Sequence, residues 1–217
     1  MSAPLRLIFA KAPLDAATLD AAARAVNEGG TLIFPTDTVY GIGCDPEDTT
    51  AIERIFEAKG REPDKPLAIH LAAAADAERF GDLTASAVAV IERLWPGAVA
   101  IVVPRKPGAC DAAARGGPTV SMRCPDSPEC AAILRAAGPL AATSANRSGM
   151  PAFTGRRDEL DRLVVASLAI ITGPTSRGRE STVVDCTAHP IRILREGALD
   201  RQAIERALVG TGVEIAP

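Results

Sequence analysis

A chain of 217 residues with 47% apolar and 24% charged side chains can bury the core of one large α/β domain, and its length does not force a second. Its 27 acidic and 24 basic side chains leave a net charge of −3, which excludes a global field drawing it onto nucleic acid or an anionic membrane, so any anion site has to be local. Aromatic residues, at 3%, are too scarce to build the core, which falls to Ala, Val, Ile and Leu.

In chain order, the N-terminal run MSAPLRLIFAKAP is short and broken by Arg6 and Lys11. No apolar stretch approaches the roughly 18 to 20 residues of a membrane span, so a soluble, unprocessed chain is expected. Residues 15–30, DAATLDAAARAVNEGG, set Leu19, Ala22, Ala23 and Val26 at helical spacing, with Gly29 and Gly30 as the stop. The strand TLIFP follows, and then the turn-rich TDTVYGIGCDPED. TTAIERIFEAKG predicts a helix over 49–60 with Ile52, Ile55 and Phe56 on one face and Gly60 as C-cap. PLAIHL reads as a buried strand, ASAVAVIERLW as a helix closed by Pro96 and Gly97, and AVAIVVP as a strand. RKPGACDAAARGGP, residues 105–118, lacks periodicity and reads as either a mobile loop or a weak helix. The remaining strands are PTVSMRC, PLAATS, LAIITG, STVVDC and IRILR, with helices at PECAAILRAAG, near RDELDRLVV and at DRQAIERALVG. Helices alternating with short β-branched strands predict an α/β layer architecture, and connections too short for helical crossovers predict a mixed sheet.

The cysteines, Cys44, Cys110, Cys124, Cys130 and Cys186, are odd in number and scattered, without a C-x-x-C pair or a repeated zinc spacing, which points to a reduced cytoplasm. Neither a Walker loop nor a G-x-G-x-x-G fingerprint is present. With only His70 and His189, a histidine-rich metal centre is excluded.

Polar groups gather at five stations. KGREPDKPL, residues 59–67, puts Lys59, Arg61 and Lys65 beside Pro63 and Pro66. Lys59 at a helix end is favoured by the macrodipole, and loop cations are commonly only solvated. Prolines that order such a loop beforehand also suit it to an anion. PTDTVYG, residues 35–41, sets Thr36, Asp37 and Thr38 after a strand, where they either cap a turn or face a ligand crevice. TSAN, residues 143–146, has the same form; REST, residues 179–182, and Arg195 complete the set. The stations converge if their strand ends share one edge. His70, inside an apolar strand, is either a satisfied core histidine or a ligand.

The ordered series GGTLIFPTDTVYGIG, K-G-R with KPL and His70, LWPGAVAIVV, VSMRCPD, TSAN, ESTVVD and LREGAL resembles the YrdC-type threonylcarbamoyl-adenylate synthases, from about residue 15 to 208. The resemblance implies a single-domain twisted mixed sheet with flanking helices around a basic cleft, the short form of the family. It implies an enzyme that joins L-threonine, bicarbonate and ATP into threonylcarbamoyl-AMP and pyrophosphate, with magnesium bridging the phosphates. The product would serve the threonylcarbamoyl modification of adenosine 37 in tRNA, through downstream transfer proteins and with possible direct tRNA contact. By resemblance, Lys59 and Arg61 are the catalytic cations; Lys59, Ser144, Asn146 and Arg195 take ATP; and Thr36, Arg61, His70, Thr143 and Ser181 take L-threonine. Arg123 fits either role, and Lys65 supports the charge of the loop. The family often has a proline or other small residue where Thr143 stands. Competing readings are a non-catalytic paralogue that binds nucleotide or RNA, and a carbamoyl-transfer domain like those in hydrogenase-maturation proteins, which usually sit in longer chains with zinc-finger-like cysteines.

Overall fold

The computed structural model describes residues 5–62 and 64–217. Residues 1–4 of the N-terminal run and Pro63, one of the two prolines expected to stiffen the cationic loop, lie outside the described residues.

The elements in chain order are β1 (Arg6–Phe9), α1 (Ala16–Asn27), β2 (Leu32–Phe34), β3 (Gly41–Cys44), α2 (Thr49–Lys59), β4 (Ala68–His70), a 3-10 helix (Ala74–Arg79), α3 (Ala85–Leu94), β5 (Val99–Pro104), β6 (Thr119–Arg123), α4 (Pro128–Ala137), β7 (Leu140–Ser144), a 3-10 helix (Arg157–Arg162), β8 (Leu168–Ile171), β9 (Thr182–Asp185), β10 (Arg192–Arg195) and α5 (Arg201–Leu208). Each α-helix starts at a capping side chain, Asp15, Asp48, Thr84, Ser127 or Asp200, that accepts a main-chain N–H three residues on. Such a cap is worth about 1 kcal/mol. Gly60 ends α2 in the left-handed conformation, φ 58°, as its position predicts.

Among the described residues the strands form one sheet in the order β1, β8, β2, β3, β7, β4, β6, β5, β9, β10. Parallel and antiparallel neighbours alternate irregularly, so the sheet is mixed, as expected. β2 is buried on both faces. Ile33 joins a large cluster with Ile42, Ile55, Ile69 and Ile101, while Leu32 and Phe34 join a second with Val26, Ile133, Leu140 and Ile170. The unbroken apolar run of TLIF follows from that two-sided burial, at about 1.5–3 kcal/mol for each large side chain.

The sequence reading needs correction at five places. β1 and β3 were not expected. In β3 the glycines signal a turn, yet a Cβ at Gly41 would sit 3.1 Å from the Phe34 ring, and one at Gly43 would sit 3.1 Å from the Ala141 carbonyl. These glycines make room for close neighbours rather than turning the chain. The segment near RDELDRLVV forms a 3-10 helix, and another 3-10 helix over Ala74–Arg79 was not foreseen. Residues 105–118 are neither a helix nor an unanchored loop: Cys110 and Ala113 are buried, Cys110 N–H donates to Glu47, and Arg105 braces the carbonyls of Ala109 and Gly117. All five cysteines are buried free thiols, and burial pushes Cys44 and Cys186 up to about 12. No helix among the described residues is long and apolar enough to cross a membrane.

Candidate active site

α2 delivers Lys59 into the protein at its last turn. The ammonium donates to the main-chain carbonyls of Ser144 and Asn146, just at the end of β7, while the Lys59 carbonyl accepts from Ser148 N–H at 2.9 Å. Lys59 is 3% exposed, and among the described residues no carboxylate lies within ion-pair distance of it. Burial, then repulsion by Arg61, push its pKa down to about 8, with Glu180 acting the other way. A buried ammonium has three donors; two neutral carbonyls leave one donor and the charge unmatched. An anion would satisfy both.

Gly60 then turns the chain so that Arg61 folds back on its own loop, donating to the carbonyls of Lys65 at 3.3 Å and Pro66 at 3.1 Å. The loop is tied down in turn by Leu67 N–H, which donates to the Ala113 carbonyl in the 105–118 segment at 3.0 Å. Burial lowers the pKa of Arg61, with Glu180 opposing and Arg195 reinforcing the shift, so the three groups feel one another's charge. Lys65 stands apart: it is exposed and pairs with Glu62 at 2.8 Å, a solvated surface cation.

The stations do not share one edge of the sheet. Thr36 and Ser144–Asn146 follow β2 and β7, which run one way; His70 and Arg123 end β4 and β6, which run the other way. Ser181 and Arg195, at the start of β9 and the end of β10, lie at the edge with His70 and Arg123. Connections across the twisted sheet bring the two groups together. One is the Lys59–Arg61 loop. Another is Arg123, 3% exposed, whose guanidinium donates to the Gly97 carbonyl at 3.0 Å, to Thr38 Oγ1 at 2.6 Å and to Asp37. Burial lowers the pKa of Arg123 and Asp37 opposes the shift. With three of its donor groups engaged internally, Arg123 is a brace between β6 and the β2–β3 turn.

His70 lies 5.9 Å from the Phe34 ring, edge to face, with Nδ1 3.3 Å from the Ala68 carbonyl. Burial, then the Arg123 charge, push its pKa down to about 3, so the ring is neutral in the folded protein.

Hydroxyls divide into used and free. Thr36 Oγ1 donates to the Val39 carbonyl at 2.6 Å and accepts from Thr38 N–H at 3.1 Å, so it caps the turn. The half-buried hydroxyls of Thr143, Ser144 and Ser181 have no partner among the described residues. Asn146 donates through Nδ2 to the carbonyls of Arg147 and Met150, leaving a buried Oδ1 without a donor. Arg195 pairs with Glu180 at 2.8 Å and donates to the Ser181 carbonyl at 2.9 Å. Gly197 lets the chain press onto this corner: a Cβ there would lie 2.2 Å from the Glu180 carbonyl.

Two contributors were not singled out in the sequence: Tyr40, whose hydroxyl donates to the Gly173 carbonyl at 2.8 Å, and Arg177, whose Nε stands 3.8 Å from Asp37 Oδ2. Asp37, which the sequence leaves between capping a turn and facing a ligand crevice, accepts at its carbonyl from Ser176 Oγ. Tyr40 and Arg177 carry no local signal, because their contacts join segments far apart in the chain. Among the described residues no group of three or more His, Cys, Asp or Glu side chains could hold a metal ion.

Fold and site together define an α/β protein with a buried ammonium, at Lys59, and half-buried unpartnered hydroxyls at its strand ends. The chain belongs to the Sua5/YciO/YrdC family: that family's model, described as telomere recombination, matches residues 24–197. A threonylcarbamoyl-AMP synthase from Bacillus subtilis is 39% identical over 196 residues, covering 87% of this chain and 56% of the relative. The chain therefore spans a little over half of that relative's length. One of the same name from Vibrio cholerae is 32% identical and is covered over 97% of its length, with 82% of this chain. A crystal structure of P. abyssi Sua5 complexed with L-threonine is 32% identical, with a TM-score of 0.85, covering 99% of this chain and 63% of that one. The resemblance and the YrdC-like fold expected from the ordered motifs are borne out.

Proposed function

We propose that this chain is an L-threonylcarbamoyladenylate synthase, acting in the cytoplasm as one YrdC-like domain. The observation that carries the reading is the Lys59 ammonium, buried without a carboxylate partner and held on two carbonyls beside Arg61. Relatives that bear this activity's name support it.

Lys59, Ser144, Asn146 and Arg195 are assigned to ATP. Arg61, His70, Thr143 and Ser181 are assigned to L-threonine, with Thr36 contributing through the turn it caps. The threonine amine, unprotonated, adds to the carbon of carbon dioxide drawn from bicarbonate and forms a carbamate, and the proton lost from nitrogen combines with the hydroxide left by bicarbonate as water. A carbamate oxygen then attacks the α-phosphorus; the new P–O bond forms as the bond to the β-phosphate oxygen breaks, and pyrophosphate leaves. Negative charge gathers on phosphate oxygens, so Lys59 and Arg61 act by placement and no covalent nucleophile is needed. Neutral His70 and the free hydroxyls suit the threonine hydroxyl, which a valine cannot replace without leaving partners unpaired. Magnesium fits here as part of the nucleotide, on phosphate oxygens and water, since the described residues supply no cage of their own. The adenylate would pass to proteins that modify tRNA adenosine 37.

The test is pyrophosphate release from ATP in bicarbonate buffer with L-threonine present, omitted or replaced by L-valine, with mass detection of the adenylate. Turnover dependent on threonine and bicarbonate is expected. ATP binding without turnover would favour a non-catalytic relative.

A further inference from the structure

A strap from Thr172 to Ser181 crosses from the end of β8 to the start of β9, joining the two groups of site residues. Its near end is pinned by Tyr40, whose hydroxyl accepts from Thr172 N–H at 2.9 Å and donates to the Gly173 carbonyl at 2.8 Å. Its far end is pinned where Ala198 N–H meets the Glu180 carbonyl at 2.7 Å and Arg195 meets Ser181. The middle rests on Asp37. The Asp37 carbonyl accepts from Ser176 Oγ at 2.9 Å and from Arg177 N–H at 3.0 Å.

The Asp37 side chain is 2% exposed; one oxygen takes Arg123, and the other is buried without a hydrogen bond. Arg177 Nε stands 3.8 Å from that second oxygen, inside ion-pair range and beyond hydrogen-bond length. One carboxylate therefore faces two guanidiniums: Arg123, bound into the sheet, and Arg177, on the strap that carries Ser181.

We propose that Asp37 and Arg177 form a positioning pair that registers the strap against Arg123 and so places Ser181 for L-threonine. The inference rests on the reading of this cleft as a threonine site. Asp37 touches neither substrate in this scheme; it acts through the strap. Strap and brace meet at the Asp37 side chain, so loss of its charge loosens both, while the bonds of Ser176 and Arg177 N–H to the Asp37 carbonyl, of Thr175 N–H to the Thr154 carbonyl and of Arg123 to Gly97 and Thr38 remain. Loss of the Arg177 guanidinium loosens the strap alone and leaves the Arg123 contact in place.

The experiment compares Asp37→Asn, Arg177→Gln, their double variant and Arg177→Lys with the unaltered protein. Three readouts apply: amide hydrogen exchange over 174–181 without ligand, L-threonine binding by calorimetry, and KM for threonine and for ATP. Each single variant should raise exchange in the strap and weaken threonine about tenfold, with KM for ATP moving less than about threefold. The double variant should be no weaker for threonine than Asp37→Asn alone, and Arg177→Lys should recover part of the loss. Arg177 is at the surface, so its variants test the pair even where Asp37→Asn folds poorly. Additive effects, equal shifts for both substrates or unchanged strap exchange would overturn the pair. If the unaltered protein binds no threonine, the proposed function falls, and the exchange data alone then decide whether Asp37 and Arg177 hold the strap.

Discussion

The ammonium of Lys59 is buried against the main-chain carbonyl of Asn146, 87 residues further along the chain. Helix α2 and strand β7 thus meet at a charge that neither neutralises. Burial has lowered the pKa of this lysine to about 8, in keeping with the proposed role of Lys59 toward an anion.

Lys59→Ala should therefore separate activity from stability. Product formation is expected to fall by about a hundredfold or more, the scale of losing one preorganised donor to a developing phosphate charge. Thermal unfolding should stay level for Lys59→Met, because the variant removes a buried cation with no carboxylate partner. Pyrophosphate release and circular dichroism on the same samples check both. Full activity would remove Lys59 from the mechanism.

Nucleotide binding should also take up a proton. The free protein holds Lys59 at a pKa of about 8, and triphosphate oxygens beside it must raise that value. Above about pH 8 the complex then binds more protons than the free protein, so ATP affinity falls as pH rises. Calorimetry at pH 8.5 or so, in two buffers of different ionisation heat, measures the uptake directly. The same titration on Lys59→Met should show almost none, and identical uptake in both proteins would refute the assignment.

Ser181→Ala should act on the amino acid rather than the nucleotide. The Ser181 carbonyl is already held by Arg195, so removing the hydroxyl leaves the main chain in place. The ratio of threonine to valine turnover should drop by about tenfold or more, with KM for ATP nearly unchanged. An unchanged ratio in a competition assay would place the threonine hydroxyl elsewhere.

His70 should make the fold acid-sensitive. Its folded pKa of about 3 lies below the ordinary value of 6.5, so the unfolded chain takes a proton first as pH falls. Its contribution is intact above about pH 6.5 and is lost progressively from there toward pH 3, at up to about 1.4 kcal/mol per pH unit. Urea unfolding at pH 7.5 and pH 5 should show a smaller drop for His70→Asn than for the unaltered protein. Equal drops would mean that carboxylates alone set the acid limit.

Much of this molecule was legible in local pattern. The α-helices carry their starts and stops in sequence, from Asp48 before α2 to Gly60 behind it, because caps and apolar stripes act within four residues. Lys59 and Arg61 stood out for the same reason: cations and prolines in one short loop are a local signal. β3 escaped because Gly41 and Gly43 say turn to a local reader, and only the pairing of β3 with β2 and β7 shows them as space for neighbours.

By itself the sequence determined the α-helices, most strands and the order of motifs that marks the family. Tertiary structure alone decided how the polar stations meet. Thr36 and Thr143 look alike in sequence, yet one hydroxyl is spent on a turn and the other is free. Arg123 and Asp37 are 86 residues apart, and their contact joins opposite edges of the sheet. Register between distant strands depends on packing summed over the whole core, and no window of a few residues contains that sum.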